Sequence, residues 1–233
     1  MSQCESCHSG CCRSFAVPIT GADILKVERD QGIGFWDFVC RWADPQGEIA
    51  QRYAPHFHFA DEPETPWVIG LKHVPSAIDS RTTKCQFLVE EPASAEYPLG
   101  RGTCGIYESR PQTCRAFPSK LNDSSELAII CKVPEHVRDD EADLYKLCPR
   151  PWEPSDFDPV STIQDLVVCQ HEMKFFRSLA TLWNQNLGEW ELFPEFLRIV
   201  YTNRIRPAEE ETTEEIVSIP FPGLEERELR RAA

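Results

Sequence analysis

The sequence predicts an α+β fold with little regular sheet, buttressed by helices toward its C-terminus. Three observations carry this. Short runs of strand-forming residues, such as Cys85-Gln-Phe-Leu-Val89, are separated by long stretches rich in proline and glycine. Helical periodicity is confined to a few segments, the longest of them over 161–186. Cysteines, eleven in 233 residues, open the chain in a dense group and recur through its loop-rich middle.

After Arg13, Phe15-Ala-Val-Pro18-Ile19 reads as an extended segment ending at Thr20. Thr20 with Asp23 three residues on resembles a capping box, with Asp in place of the usual Glu or Gln. A helix over 21–30 should follow, turning Ile24, Leu25 and Val27 inward. Gly32 and Gly34 interrupt it, and 35–42 is expected as a second, aromatic helical piece. From 44 to 75 prolines and aromatics dominate, and only a short strand over 67–71 is predicted. Residues 85–89 read as one strand, 90–102 as a loop, and Arg110-Pro111 as a helix start or turn. A strand is expected over 127–131 and a helix over 135–147.

Beyond Cys148, Pro149, Pro151, Pro154 and Pro159 punctuate a linker. A long amphipathic helix then carries Leu166, Cys169, Met173, Phe176, Ala180 and Trp183 on its inner face, and a shorter helix covers 194–201. From Pro207 eight glutamates face three arginines, which predicts a surface tail, in part disordered. The expected organisation is a cysteine-rich domain over 1–152, a helical extension over 153–206 and an acidic tail over 207–233.

With 24 Lys and Arg against 38 Asp and Glu, the net charge of -14 repels phosphate backbones and anionic lipid, so nucleic acid and membrane surfaces are excluded as partners. The opening MSQCESCHSGCCRSF lacks the apolar run of a signal peptide, and no later stretch is apolar enough for a membrane span. A cytoplasmic protein is therefore expected. Cytosolic thiols are kept reduced, and an odd cysteine count leaves one unpaired in any all-disulfide scheme, so metal binding is the leading explanation.

Cys4-Glu-Ser-Cys7 has the spacing with which one tight turn aims two sulfurs at one metal ion, and Cys11-Cys12 follows closely. Adjacent cysteines point apart, so this group is part of a larger site whose other ligands are sought in Cys85, Cys104 and Cys114. Two thiolates about 6 Å apart repel by about 3 kcal/mol at an effective dielectric near 20, so such a set persists only around a cation. Arg13, Lys84, Arg110 and Arg115 lie beside these cysteines and can offset charge or donate to sulfur, and Tyr107 joins them as a further residue next to the site. Cys40 and Cys169 sit among apolar residues and read as packing. His8, inside the cluster, and His56 and His58, alternating in an extended segment, are weaker candidate ligands.

These residues resemble the YkgJ-type cysteine-cluster family, the CxxCxxCC type, described as a zinc- or iron-chelating domain. The resemblance rests on Cys4, Cys7, Cys11 and Cys12-Arg13, on Cys85-Gln-Phe87-Leu88, and on Cys104-Gly-Ile106-Tyr107-Glu-Ser-Arg110-Pro111-Gln-Thr-Cys114-Arg115-Ala-Phe117-Pro118. It implies a loop-rich, metal-centred domain and a further ligand after the last motif, which Cys131 matches by spacing, with Cys148 second. In this chain three residues, His8-Ser9-Gly10, precede the double cysteine, where the family has two.

The metal set is then Cys4, Cys7, Cys11, Cys12, Cys85, Cys104, Cys114 and Cys131. Thiolates alone suit both an iron–sulfur cluster and zinc, and the scattered ligand segments with their cationic neighbours and the family's usual description favour iron–sulfur. Three functions follow: an iron–sulfur protein with redox activity, a structural zinc module whose C-terminal helices dock a protein partner, or a metal-dependent protein-modifying enzyme. No nucleophile–base pair, phosphate loop or dinucleotide fingerprint accompanies the cysteines, so the enzymatic reading rests on resemblance alone.

Overall fold

The computed structural model describes residues 7–50, 54–121, 127–129 and 153–205. Cys4, Cys131, Cys148, the helix expected over 135–147 and the acidic tail lie outside the described residues. The architecture is α+β, with short antiparallel sheets and helices packed on them.

After the single turn α1 (Cys11–Ser14), the chain runs extended along a strand of the largest sheet, with Ile19 N–H donating to Ile69 O and Leu71 N–H to Val17 O, both at 3.1 Å. Gly70 permits this approach, because a Cβ there would stand 2.8 Å from Val17 O. Helix α2 (Gly21–Gln31) starts where the capping box predicts. Asp23 N–H donates to Thr20 Oγ1 at 3.3 Å, and Thr20 N–H returns a bond to Asp23 Oδ2 at 2.9 Å. It stops at Gly32, whose φ of 66° is the left-handed cap. Ile24 and Val27 are buried and Leu25 half-buried, as the pattern requires.

The helix expected over 35–42 is only the turn α3 (Phe35–Phe38), and from Val39 the chain becomes strand β1 (Val39–Ala43). Strand pairing overrides the local aromatic pattern here: β1 runs antiparallel to β3 (Glu62–Leu71), from Val39 opposite Leu71 to Ala43 opposite Trp67. β2 (Phe57–Phe59) lies on the other side, giving the order β1-β3-β2. β3 is therefore ten residues long where only 67–71 was expected. Pro63 and Pro66 fall in its outer half, where exposure is greater.

The strand expected over 85–89 is two strands with a turn between them. β5 (Thr83–Cys85) pairs with β4 (His73–Pro75), and β6 (Leu88–Glu91) pairs with β7 (Arg101–Cys104). Helix α4 (Gln112–Ala116) follows Pro111, and β8 (Ser119–Leu121) pairs with β9 (Leu127–Ile129).

The two C-terminal helices form close to expectation. In α5 (Pro159–Gln185), Asp158 caps the first turn by accepting from Ser161 N–H at 3.0 Å, with proline in the first turn. α6 (Phe193–Ile205) packs back against it. Phe193 is fully buried, with ring centroids 5.0 Å from Phe57, 5.5 Å from Phe59 and 5.2 Å from Trp183. One apolar cluster runs from Val17 and Val27 through the β1-β3-β2 sheet to Phe176 and Tyr201. Among the described residues no helix is long and apolar enough to cross a membrane.

Asp23 joins the two halves. Beyond capping α2, its Oδ1 accepts from Gln112 N–H at 2.9 Å, at the start of α4. Asp23→Ala therefore uncaps two helices at once and is expected to cost about 2–3 kcal/mol in urea unfolding, with Asp23→Asn recovering part of the loss.

Candidate metal centre

Four cysteines from four segments line one cavity of about 30 Å3: Cys12 on α1, Cys85 at the end of β5, Cys104 at the end of β7 and Cys114 on α4. Its other walls are Val17, Leu71, Phe87, Leu88, Ile106, Pro111 and Arg110. The broken strand explains the meeting of Cys85 and Cys104. Leu88 lies opposite Cys104 in the β6–β7 ladder, and Gly105 N–H donates to Phe87 O at 2.8 Å, so the turns after the two cysteines sit side by side. Cys114 is brought in by α4, which Asp23 holds at its start and Thr113 anchors through Oγ1 to Pro18 O at 2.8 Å.

Three cysteines share a local device. Ser9 N–H donates to Cys7 Sγ at 3.2 Å, and the backbone N–H groups of Phe87 and Ile106 act on Cys85 and Cys104 in the direction that favours the thiolate. In each case the donor is two residues beyond the cysteine. Such bonds favour the thiolate over the thiol and are what a metal-bound sulfur requires around it.

The thiols interact strongly. Burial pushes Cys85 up to about 11, against the pull of Phe87 N–H. Burial also raises Cys104 and raises Cys114 far above the ordinary thiol range, with negative charge at Cys85, Cys11 and Cys104 adding at Cys114. Cys12 donates to Cys11, which raises Cys12 and lowers Cys11, and Arg110 adds to the effect on Cys11. Five thiols thus lie in one another's field, and they ionise together only around a cation.

The remaining candidates are placed as follows. Cys7 is buried in a segment that lies on β7, with Gly102 N–H donating to Cys7 O at 2.9 Å and Ser9 Oγ donating to Gly102 O at 2.7 Å. Glycine is needed at 102, since a Cβ would stand 2.6 Å from Ser9 Oγ. Arg13 is fully buried and faces Glu90, with Nη2 at 2.6 Å from Oε1, rather than the cavity wall. Tyr107 is half-exposed under the Arg110 guanidinium, 4.0 Å from ring centroid to Cζ. Arg115 donates from Nε to Arg110 O at 3.2 Å and from Nη2 to Glu108 O. His8 is buried, His56 binds buried Asp44 at 2.8 Å, and His58 Nδ1 lies 2.9 Å from Pro63 O, so His56 and His58 turn to different partners. Cys40 Sγ donates to Leu71 O at 3.5 Å, and Cys169 hydrogen-bonds with Thr113; neither lines the cavity.

A family model described as "CxxCxxCC: Putative zinc- or iron-chelating domain" matches residues 3–132, more than half of the chain. The chain belongs to this family. No curated protein and no solved structure matches it. The matched span contains Cys12, Cys85, Cys104 and Cys114, and metal chelation is the family's described role.

The donor set fits that role. Four thiols stand around a shared space, backbone N–H groups favour the thiolate at Cys85 and Cys104, and Arg110 Nε is buried on the wall with no hydrogen-bond partner among the described residues. Among the described residues no group of three or more His, Cys, Asp and Glu is drawn together tightly enough to hold one ion. The four thiols surround a cavity instead of meeting at a point.

Two residues that position the CxxCxxCC site escaped the sequence. Glu90, buried at 3% side-chain exposure, binds Arg13, Ser76 Oγ at 2.6 Å and Ala77 N–H at 2.9 Å, and Lys84 Nζ lies 3.5 Å away. It ties α1, with Cys11 and Cys12, to the hairpin beyond Cys85. Nothing in Val89-Glu-Glu91 marks it out from an ordinary surface glutamate. Asp23 was visible as a cap, but its second bond to Gln112 spans 89 residues and has no local signature.

Proposed function

We propose that this chain holds an iron–sulfur cluster on Cys12, Cys85, Cys104 and Cys114, with Cys11 alongside, and works as a redox protein in the reducing cytoplasm. The observation that carries the reading is the arrangement of four thiols around a cavity of about 30 Å3. Thiolates alone suit zinc as well as a cluster, and their origin in four scattered segments with cationic neighbours favours the cluster. When bound, a cluster supplies one-electron transfer at a potential set by its surroundings.

The chain's own residues provide those surroundings. Phe87 and Ile106 N–H groups stabilise charge on the Cys85 and Cys104 sulfurs. Val17, Leu71, Phe87, Leu88 and Ile106 form apolar walls that keep water from the thiolates, and Arg110 contributes a positive charge to the same walls.

Protein purified without oxygen is expected to be brown, to release acid-labile sulfide and to bleach on reduction. Colourless protein with stoichiometric zinc and no sulfide would sink the iron–sulfur reading and favour a structural zinc module.

A further inference from the structure

Among the described residues, Arg110 is the one cation that lines the thiol cavity. It immediately precedes Pro111 and the helix that carries Cys114. Its guanidinium is stacked on Tyr107, and its own carbonyl is held by Arg115 Nε, so both its head and its backbone are fixed. Its Nε–H is buried without a hydrogen-bond partner among the described residues. A buried donor left unmatched is destabilising, and the cavity-lining groups that accept best once charged are the cysteine sulfurs.

Four thiolates carry more negative charge than a divalent ion or a cluster core neutralises. A cation fixed among them offsets the excess at no further ordering cost.

We propose that Arg110 is a positioning residue of the metal centre, donating Nε–H to anionic sulfur and countering the charge of the loaded site. The inference rests on the reading that Cys12, Cys85, Cys104 and Cys114 hold metal. Hydrogen bonds and positive charge at cluster sulfurs favour the more negative, reduced state, so Arg110 sets the potential as well as the retention of the centre. Arg110→Met keeps the stem and removes both donor and charge. Arg110→Lys keeps a charge but loses the planar fork and its Nε–H.

The test uses the full chain, purified without oxygen, as wild type, Arg110→Met and Arg110→Lys. Metal content, release of metal to a competing chelator and the midpoint potential are measured, with a thermal melt to verify folding. Arg110→Met is expected to bind the same metal, lose it about 10- to 100-fold more readily, and have a lower midpoint potential, with Arg110→Lys between it and wild type. If the centre is zinc, chelator release carries the test alone. Should Arg110→Met fail to fold, Arg110→Lys must still release metal faster than wild type. Wild-type protein that retains metal, with folded variants that match it in release and in any measurable potential, overturns the proposal alone. Wild-type protein that holds neither iron nor zinc overturns the reading beneath it and the proposal together.

Discussion

Glu90→Gln is expected to destabilise the fold by about 3–5 kcal/mol, because it leaves the fully buried Arg13 without its carboxylate. A buried ion pair adds little over an apolar replacement, but removing one partner strands the other charge. Arg13 is sensitive to this, since among the described residues its Nε and Nη1 have no hydrogen-bond partner and Nη2 carries the pair. The double variant Arg13→Met/Glu90→Leu should therefore recover most of the loss in urea titration. A double variant as unstable as Glu90→Gln would show that shape and not charge holds this junction.

Acid reveals the same residue. Burial alone would raise the Glu90 carboxyl, but bonds from Ser76, Ala77 and Arg13 outweigh it and hold it below the ordinary 4.5. A depressed carboxylate stabilises the fold fully above its unfolded value. That contribution is lost as pH falls through the lower folded value.

The second large effect falls on metal retention. Serine at Cys12, Cys85, Cys104 or Cys114 replaces a soft thiolate by a hydroxyl that stays protonated, and each change should weaken metal retention more than about 100-fold, beyond the 10- to 100-fold typical of outer partners. Cys40→Ser and Cys169→Ser supply the contrast: neither residue lines the cavity. Both variants should keep wild-type metal content.

Which cysteines converge was partly legible in the sequence. Turn and cationic neighbours, with the family resemblance, set Cys85, Cys104 and Cys114 apart from Cys40 and Cys169, which sit among apolar residues; the first three line the cavity and the other two are not among its lining residues. What spacing could not supply was the turn at Gln86-Phe87. A run as strand-like as Cys85-Gln-Phe-Leu-Val89 gives no local reason to break. It breaks because Cys85 pairs with His73 while Leu88 pairs with Cys104, and both partners are distant in the chain. The same cause turned 39–43 from expected helix into strand, since β3 offered a longer-range partner than the aromatic pattern could reveal. Elements whose ends are fixed locally fared better: the Thr20 cap and the Gly32 stop define α2 where side-chain chemistry alone places them, whereas α5 starts at Pro159 behind an Asp158 cap, two residues ahead of the expected 161. Charge placement was the least legible. Four cationic residues flank cysteines in sequence, yet Arg13 pairs with Glu90 and Arg110 lines the cavity, a division settled only by tertiary contacts.

The most direct measurement is the metal content per chain of protein purified without oxygen, for wild type and for the variant with serine at positions 12, 85, 104 and 114. The four-thiol cavity predicts iron with matching labile sulfide in the wild type and neither in the folded variant. Equal metal in the two proteins would contradict it.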